Sequence, residues 1–164
     1  MSVAFELRPM RRGDLPQVHA LELAIFPTPW SFNSYQFELE RNTASDLWVI
    51  EAQEGSETKV VAYVVVWLLV DEAHIANIAV DPAYRRLGLA RRLMQHVLAR
   101  AARQGLSCAT LEVRAGNHAA QTLYESFGFS VAGRRKAYYR DNQEDALTMR
   151  LDALDRVLLA EARS

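Results

Sequence analysis

The stretch between residues 73 and 101 changes its hydrophobic pattern half-way, and this change limits the fold more than any other feature. Its first part, "AHIANIAV", is a short apolar run that stops at Asp81-Pro82, as is typical of a strand. From Gly88 onwards the apolar residues recur every three or four positions, as on one face of a helix. A second strand-like run, "CATLEVR", follows that helix. The order strand, helix, strand predicts a mixed α/β fold.

Alternating strands and helices are predicted along the rest of the chain as well. The predicted strands span residues 5–9, 46–52, 60–70, 73–80, 108–114, 129–139 and 144–151. The predicted helices span residues 15–26, 32–40, 88–104 and 117–127, with N-caps at Asp14 and Ser31 and C-terminal glycines at 105 and 128. At 164 residues the chain is long enough for one domain with a central sheet covered by helices.

The predicted domain spans residues 1–151, and residues 152–164 form an extension beyond it. Apolar residues recur there with near-helical spacing, at Leu151, Leu154, Leu158 and Leu159. We therefore expect a short amphipathic helix. The pattern leaves open whether that helix packs on its own domain or against a partner.

Composition argues against several classes of protein. The formal net charge is −1, so no global field attracts nucleic acid or an anionic membrane, and neither is expected as a partner. The longest apolar run, residues 60–70, is too short to span a bilayer, and the N-terminus lacks the apolar core of a signal peptide. Cys108 is the single cysteine, and the four histidines lack metal-ligand spacing. We expect a cytoplasmic protein without a metal site.

The loop "DPAYRRLGLARR" places one glycine among four arginines between the strand and the helix. Free N–H groups at the helix start, together with the positive end of the helix dipole, attract phosphate. Gly88 allows an unusual turn and a close backbone approach to a ligand, and Ala90 adds little bulk. Arginines supply bidentate phosphate contacts. The loop predicts a phosphate site, with a tight connection bearing solvated arginines as the alternative.

Several segments resemble the Gcn5-related N-acetyltransferase (GNAT) superfamily. The acyl-CoA pyrophosphate loop of that superfamily is similar to "RRLGLA" after "NIAVDPAY", and the second half of its cofactor region is similar to "LEVRAGNHAAQTLYESFGF". One branch acetylates the N-terminal alanine of a small-subunit ribosomal protein, and its acceptor-side segments resemble "ELAIFPTPWS" and "AYYRDNQEDALTM". The resemblance runs over residues 5–151.

The resemblance implies a single-domain GNAT fold and acetyl-CoA as co-substrate, without a metal. In that fold the strand ending at Val80 and the strand holding Glu112 run parallel and splay apart, within a mixed sheet that has helices on both faces. The residues expected to bind acetyl-CoA are Ile78, Ala79, Val80, Arg86, Leu87, Gly88, Leu89, Ala90, Arg91 and Asn117. The first three would pair their backbones with pantetheine, and loop amides would hold the pyrophosphate. For Asn117, a role as helix N-cap alone is the alternative.

Glu112 is the residue expected to accept the proton of the acceptor amine. It lies in "CATLEVR", where the side chains of Leu111 and Val113 point to the opposite face of the strand. A carboxylate on such an interior strand suits general-base work. The alternative is a surface glutamate paired with Arg114 or with a cation on another strand.

Tyr124 is expected to donate a proton or a hydrogen bond to the departing thiolate. A tyrosine has a pKa of about 10 and a thiol one of about 8.5, so full transfer in water is uphill by roughly 2 kcal/mol. We therefore expect Tyr124 mainly to stabilise charge. The alternative is a core aromatic, since Leu123 and Phe127 share its helix.

The acceptor amine sets how strong the base must be. A peptide α-amine has a pKa of about 7.7 to 8.0, so its deprotonation near pH 7 costs about 1 kcal/mol, whereas a lysine amine costs about 4 to 5 kcal/mol. A modest carboxylate base is therefore adequate for an N-terminus, although this arithmetic does not exclude lysine.

Aromatic residues near "FPTPW" and at the end of the late strand are expected to line an acceptor groove. Trp30, Tyr138 and Tyr139 are the candidates, with core or rim packing as the alternative. The carboxylates of residues 141, 144 and 145 would favour a basic acceptor, and a solvated turn is their default interpretation.

Three hypotheses follow from the sequence. The first is acetyl-CoA-dependent acetylation of a protein N-terminus, with the N-terminal alanine of a small-subunit ribosomal protein as the expected acceptor. The second keeps this chemistry but uses a lysine or a small-molecule amine as acceptor. The third is a non-catalytic module that binds acyl-CoA. A binder would need neither Glu112 nor Tyr124, which argues against the third.

Overall fold

The computed structural model describes residues 2–163 and contains seven strands and five α-helices within them. The strands are β1 (Ala4–Pro9), β2 (Ser45–Glu54), β3 (Glu57–Leu68), β4 (Glu72–Val80), β5 (Cys108–Arg114), β6 (Ser130–Arg135) and β7 (Ala146–Leu151). The helices are α1 (Leu15–Ile25), α2 (Phe32–Glu40), α3 (Leu89–Arg103), α4 (His118–Ser126) and α5 (Arg156–Arg163). The order of elements predicted from the sequence is confirmed.

The seven strands form one mixed sheet with the order β1-β2-β3-β4-β5-β7-β6. β1 pairs antiparallel with β2, and β7 pairs antiparallel with both β5 and β6. β4 and β5 are parallel, as predicted, because α3 lies between them in the chain. Their register joins Glu72–Ile75 to Cys108–Leu111 and ends there, although β4 continues to Val80 and β5 to Arg114.

The chain divides into two compact units. The first comprises residues 1–66 and 77–94, and the second comprises residues 67–76 and 95–164. β3, β4 and α3 therefore each contribute residues to both units.

Helix α3 has the apolar face that the sequence predicts. All six apolar residues of the predicted face are buried, namely Leu89, Leu93, Met94, Val97, Leu98 and Ala101. Gly105 ends the helix in the left-handed conformation, with φ of 87°. The spacing of three and four residues was therefore a reliable guide to which side of the helix enters the core.

Asp14 occupies the predicted N-cap position of α1 but forms no cap bond with its side chain, whereas the cap at Ser31 is confirmed. Ser31 Oγ accepts a hydrogen bond from the Ser34 N–H at 3.0 Å, at the start of α2. The Asp14 carboxylate makes no cap bond to α1. It instead receives two hydrogen bonds from the buried Arg8 guanidinium, at 2.7 and 2.8 Å, and this ion pair has taken the place of the cap.

The late strand is shorter than predicted, which moves both candidate tyrosines off it. β6 ends at Arg135, so Tyr138 and Tyr139 lie in the loop before β7. Ala137 has φ of 50°, in the left-handed region, which turns the chain. The Asp145 carboxylate stabilises this turn by accepting hydrogen bonds from the Ala137 N–H at 2.8 Å and from Arg134 at 2.6 Å.

The predicted C-terminal helix is present as α5 and packs within the second unit. Leu154 and Val157 are buried there, while Leu159 is exposed, so the buried face differs from the one that the leucine spacing predicted. Glu161 bonds to Arg103 and Gln95 of α3, which holds α5 beside that helix. None of the helices within residues 2–163 combines the length and apolarity needed to cross a bilayer.

Candidate active site

The end of β4 leads into a short ordered connection before the arginine loop. The Asp81 N–H donates to the Val61 carbonyl at 2.7 Å, which fixes the strand end against β3. The Asp81 carboxylate then accepts a hydrogen bond from the Ala83 N–H at 2.9 Å, within a 3-10 turn at Pro82–Tyr84. These contacts fix the point from which the following loop starts.

The loop has the unusual backbone that Gly88 predicts. Gly88 has φ of 77°, and Arg86 has φ of 65° although it is not a glycine. Such a conformation costs a residue with a side chain about 1 to 2 kcal/mol, so the loop holds a specific shape at some expense. Residues 85–88 are exposed. The shape is therefore presented to solvent, where a ligand can reach it.

Helix α3 opens directly from this loop. Its first backbone bond runs from the Arg92 N–H to the Gly88 carbonyl at 3.0 Å. The N–H groups of Gly88, Leu89 and Ala90 lie at the open end of the helix, where the helix dipole is positive. The arginines at positions 85, 86, 91 and 92 have exposed side chains around it. This donor set fits the negative charge of a pyrophosphate.

The last residues of β4 are the ones expected to pair with pantetheine. Ala79 is buried, and Ile78 and Val80 are half-buried on either side of it. Ile78, Ala79 and Val80 lie beyond Ile75, the last residue of the parallel register with β5. Their backbone is in the extended form that strand addition requires.

Glu112 occupies the half-buried position that strand alternation predicts. Its carboxyl side chain is 23% exposed, while Leu111 and Val113 on the opposite face of β5 are 1% and 5% exposed. Strand alternation places Thr110 and Glu112 on one face of β5, opposite the face of Leu111 and Val113. The carboxylate is therefore accessible to a substrate without being fully hydrated.

The cation beside Glu112 comes from β6. The Arg135 guanidinium lies 3.6 Å from the Glu112 carboxylate and 5.4 Å from the centre of the Tyr138 ring. Burial and the neighbouring Glu112 carboxylate raise the pKa of Tyr138. The predicted alternative partner, Arg114, pairs with Asp141 and Glu144 instead. Sequence reasoning expected a cross-strand cation only in general terms, and it missed Arg135.

His74 extends the polar face on which Glu112 lies. Its Nδ1 is 2.8 Å from the Thr110 hydroxyl, and its ring stacks on Trp67 with a centroid distance of 5.6 Å. Burial lowers the pKa of His74, and the carboxylates of Glu112 and Glu72 oppose that shift. Because the net effect lowers the pKa of His74, its imidazole is neutral near neutral pH.

Tyr124 is buried on α4, with 6% exposure. Its ring lies 6.0 Å from that of Phe129. Burial, with a smaller effect from Tyr139, raises the pKa of Tyr124 to about 12. Its hydroxyl therefore stays protonated at any pH near neutrality and is suited to donate a hydrogen bond.

Tyr139 lies over a cation, and Tyr138 is the more exposed of the pair. The Arg114 guanidinium is 3.9 Å from the centre of the Tyr139 ring. Burial raises the pKa of Tyr139, against the effect of that guanidinium. The two tyrosine rings meet edge to face at 5.2 Å, and 44% of Tyr138 is exposed. An exposed aromatic surface thus lies beside Glu112.

Asn117 caps α4 by accepting a hydrogen bond from the Ala120 N–H at 3.2 Å. This hydrogen bond is the one expected if Asn117 serves as a helix N-cap. Asn117 itself is exposed, and its predicted contact with pantetheine stays a prediction.

The acidic turn does not offer free carboxylates. Glu144 accepts a hydrogen bond from the Gly116 N–H at 2.7 Å, and this bond lowers its pKa. The bond from the Ala137 N–H likewise lowers the pKa of Asp145. Asp141 binds Arg114 at 3.0 Å. The internal bonds of these carboxylates weaken the expectation that they select a basic acceptor.

Trp30, the third acceptor-side candidate, belongs to the first unit. Its ring is half-buried and lies 5.2 Å from the ring of Tyr35. Its backbone N–H donates to the buried Glu22 carboxylate at 2.9 Å. Sequence reasoning missed Glu22, although a charged residue on the apolar side of a predicted helix was the available signal.

Similarity to known proteins agrees with this loop and strand arrangement. The model of the acetyltransferase (GNAT) family matches residues 15–129. The chain belongs to the GNAT family. Among curated GNAT proteins, the ribosomal protein bS18-alanine N-acetyltransferase of Escherichia coli (strain K12) is 39% identical over 143 residues, which cover 84% of this chain and 90% of that protein.

Solved GNAT structures share the fold. The crystal structure of the ribosomal-protein-S18-alanine N-acetyltransferase from Escherichia coli matches with a TM-score of 0.81 at 33% identity, covering 92% of this chain and 94% of that one. Arabidopsis thaliana NAA60 in complex with acetyl-CoA also matches with a TM-score of 0.81, at 17% identity, covering 90% of this chain and 98% of that one. The predicted GNAT fold is therefore confirmed.

Proposed function

We propose that the chain transfers the acetyl group of acetyl-CoA to the α-amine of a protein N-terminus, with the N-terminal alanine of a small-subunit ribosomal protein as its acceptor. The observation that carries this proposal is the 39% identity to the Escherichia coli ribosomal protein bS18-alanine N-acetyltransferase along most of both chains. The half-buried Glu112 on β5 supports the chemistry, since a non-catalytic binder has no use for a base there.

The end of β4 and the start of α3 supply the groups for acetyl-CoA. The N–H groups of residues 86–91 and the surrounding arginines would hold the pyrophosphate at the start of α3. The backbone of Ile78, Ala79 and Val80 would pair with the amides of pantetheine, as a further strand does. The acetyl-CoA complex of a protein with the same fold supports acetyl-CoA as the co-substrate.

Residues of β5 and α4 supply the groups for proton transfer. Glu112 accepts the proton of the acceptor amine, and the neutral nitrogen attacks the thioester carbonyl carbon. Attack leaves one further proton to be lost from the nitrogen; collapse of the tetrahedral intermediate breaks the carbon–sulfur bond, and the released thiolate of CoA takes up that proton. With a pKa of about 12 for Tyr124 and about 8.5 for a thiol, full transfer from this tyrosine is uphill by about 5 kcal/mol. Tyr124 therefore acts as a hydrogen-bond donor to the developing negative charge.

Replacing Tyr124 by phenylalanine is expected to lower kcat about 10- to 100-fold while the fold is retained. The ring and its contact with Phe129 are kept, and one hydrogen bond to a charged group, worth about 1.5 to 3 kcal/mol, is lost. Steady-state kinetics with a saturating acceptor peptide measures the effect. Tyr84→Phe is the matched control, because that hydroxyl donates to Glu54 in an exposed surface pair at 2.9 Å. If Tyr124→Phe has the same kcat as the wild type, Tyr124 does not have this role.

The acceptor is tested by acetyl transfer to peptides varied at their first four residues, beside free lysine and polyamines. We expect peptides that begin with alanine to react with the highest kcat/KM, and blocking their α-amine to abolish acetylation. Mass spectrometry locates the acetyl group. Transfer to small amines or lysine side chains alone would contradict the proposal, and acetyl-CoA binding without any transfer would indicate a binding module.

A further inference from the structure

Glu22 is a buried carboxylate that the proposed chemistry does not use. It lies on α1 with 1% exposure. Its Oε1 accepts hydrogen bonds from the hydroxyls of Tyr35 and Tyr63, both at 2.6 Å, and from the Asn77 amide at 2.8 Å. Its Oε2 accepts one from the Trp30 N–H at 2.9 Å. Burying a carboxylate is costly unless hydrogen bonds compensate it, and these four donors supply that compensation.

The four donors come from four different segments of the first unit. Tyr35 lies on α2, Tyr63 on β3 and Asn77 on β4, while Trp30 belongs to the loop between α1 and α2. Among residues 2–161, no Lys or Arg side chain forms an ion pair with Glu22. Hydrogen-bond donors alone therefore compensate the charge, and the carboxylate joins these segments at one point.

The two tyrosines can serve as donors at every pH that the protein meets. Burial, followed by the effects of Tyr63 and Glu22, raises the pKa of Tyr35. Burial and the bond to Glu22 raise the pKa of Tyr63 as well. Asn77 also donates to the Tyr35 hydroxyl, at 2.7 Å. The hydroxyls of both tyrosines therefore stay protonated and keep donating to Oε1.

The bond on Oε2 holds a loop whose two prolines cannot donate backbone hydrogen bonds. The loop "FPTPW" contains prolines at 27 and 29, which have no N–H to donate. The Phe26 N–H bonds to the Glu22 carbonyl as the last turn of α1, at 3.0 Å. At the other end of the loop, the Trp30 N–H donates a hydrogen bond to the Glu22 carboxylate. Glu22 therefore fixes both ends of this loop, through its backbone at Phe26 and its side chain at Trp30.

We infer that Glu22 is a positioning residue for the acceptor. It fixes the loop carrying Trp30 against the scaffold of α2 and β3 and against Asn77, the residue directly before the strand segment 78–80. The inference rests on the proposed function and on the prediction from the sequence that Trp30 lines the acceptor groove. Glu22 does not touch the reacting atoms in this arrangement. Its contribution is to hold the loop that carries Trp30 in a fixed position relative to the strand segment 78–80, which is proposed to bind acetyl-CoA.

The test is the substitution Glu22→Gln, which keeps the shape but replaces one carboxylate oxygen by an NH2 group. If the remaining oxygen serves the two tyrosines and Asn77, the NH2 faces the Trp30 N–H, and two donors then meet. We expect KM for the alanine-terminated peptide to rise about tenfold or more. We expect kcat to change less than threefold and the Kd of acetyl-CoA less than twofold, because the scaffold on Oε1 remains.

Tyr63→Phe is the matched control, since it removes one donor from the same carboxylate but leaves the bond to Trp30 intact. We expect this variant to lose stability in thermal unfolding and to keep the wild-type KM for the peptide. If Glu22→Gln does not fold, Pro29→Gly replaces it, because it loosens the loop next to Trp30 without touching the network. We expect Pro29→Gly to raise the peptide KM severalfold at unchanged acetyl-CoA affinity.

The outcomes separate this inference from the proposed function. If the wild-type protein acetylates no peptide, the proposed function fails and the inference fails with it. If the wild type acetylates the peptide and the folded variant keeps its peptide KM, only the inference is overturned. Equal losses in peptide KM, kcat and acetyl-CoA affinity, in parallel with lost stability, would also overturn it, because they indicate a purely structural role.

Discussion

Replacing Glu112 by glutamine is expected to lower kcat/KM for the acceptor peptide about a hundredfold near pH 7, with the Kd of acetyl-CoA unchanged. A general base contributes about 10²- to 10⁴-fold to a reaction of this kind, and glutamine cannot accept the proton of the ammonium. The side chain is 23% exposed and glutamine has nearly the same shape, so the fold is kept. Steady-state kinetics and calorimetric titration with acetyl-CoA measure the two quantities.

The defect of this variant is also expected to shrink as the pH rises. A peptide α-amine has a pKa of about 7.7 to 8.0, so most of it is already neutral near pH 9 and needs the base less. A defect that stays constant from pH 6.5 to pH 9 would show that Glu112 acts only through Arg135 and Tyr138, by placing them.

Glu72→Gln is the matched control for this experiment. Glu72 lies on the neighbouring strand β4, its side chain is 33% exposed, and it faces the Arg150 guanidinium at 3.7 Å, much as Glu112 faces Arg135. We expect wild-type turnover from Glu72→Gln. Similar losses in both variants would mean that the charge of this face, rather than one base, supports the reaction.

Replacing Gly88 by alanine is expected to weaken acetyl-CoA binding about tenfold, as measured by the Kd from calorimetric titration. Gly88 has φ of 77°, a conformation that costs an L-residue about 1 to 2 kcal/mol. A Cβ at this position would have no other atom within 4 Å among the described residues, so strain rather than collision is the cause. Relief of that strain would turn the N–H groups at the start of α3 away from the pyrophosphate.

Gly55→Ala provides a control with the same backbone strain in the turn between β2 and β3. Gly55 has φ of 61°, and a Cβ there would also have open space around it. We expect both variants to lose similar stability in urea, and only Gly88→Ala to lose affinity for acetyl-CoA. Equal affinities in the two variants would contradict the assignment of the phosphate loop.

Hydrophobic periodicity carried most of the fold prediction. The face of α3 was predictable because a helix that covers a sheet must repeat its apolar residues every three or four positions. The parallel pairing of β4 and β5 was implied by the resemblance to the GNAT superfamily, and its physical reason is the helix between them, which returns the chain to the same end of the sheet. Gly88 was informative for a related reason, because its place before a helix suggested a backbone that other residues avoid.

Contacts between distant positions could not be predicted. The length of β6 depended on Asp145, ten residues beyond the strand end at Arg135, which stabilises the turn at Ala137. The pairing of Glu112 with Arg135 crosses one intervening strand, β7, and nothing local in the sequence distinguishes Arg135 from Arg134. Alternation along a strand indicated which face Glu112 occupies, but it carried no information on what else lies on that face.

The carboxylates of the 136–145 loop also limit how acceptor choice can be engineered. Each of these carboxylates is already bonded: Asp141 pairs with Arg114, Glu144 accepts from the Gly116 N–H, and Asp145 accepts from the Ala137 N–H. If a mutagenesis library randomises these three positions, most of the active variants will be those in which the loop still folds. Acceptor recognition would change only indirectly. Directed evolution of this enzyme should keep these three positions constant and diversify the aromatic ones instead.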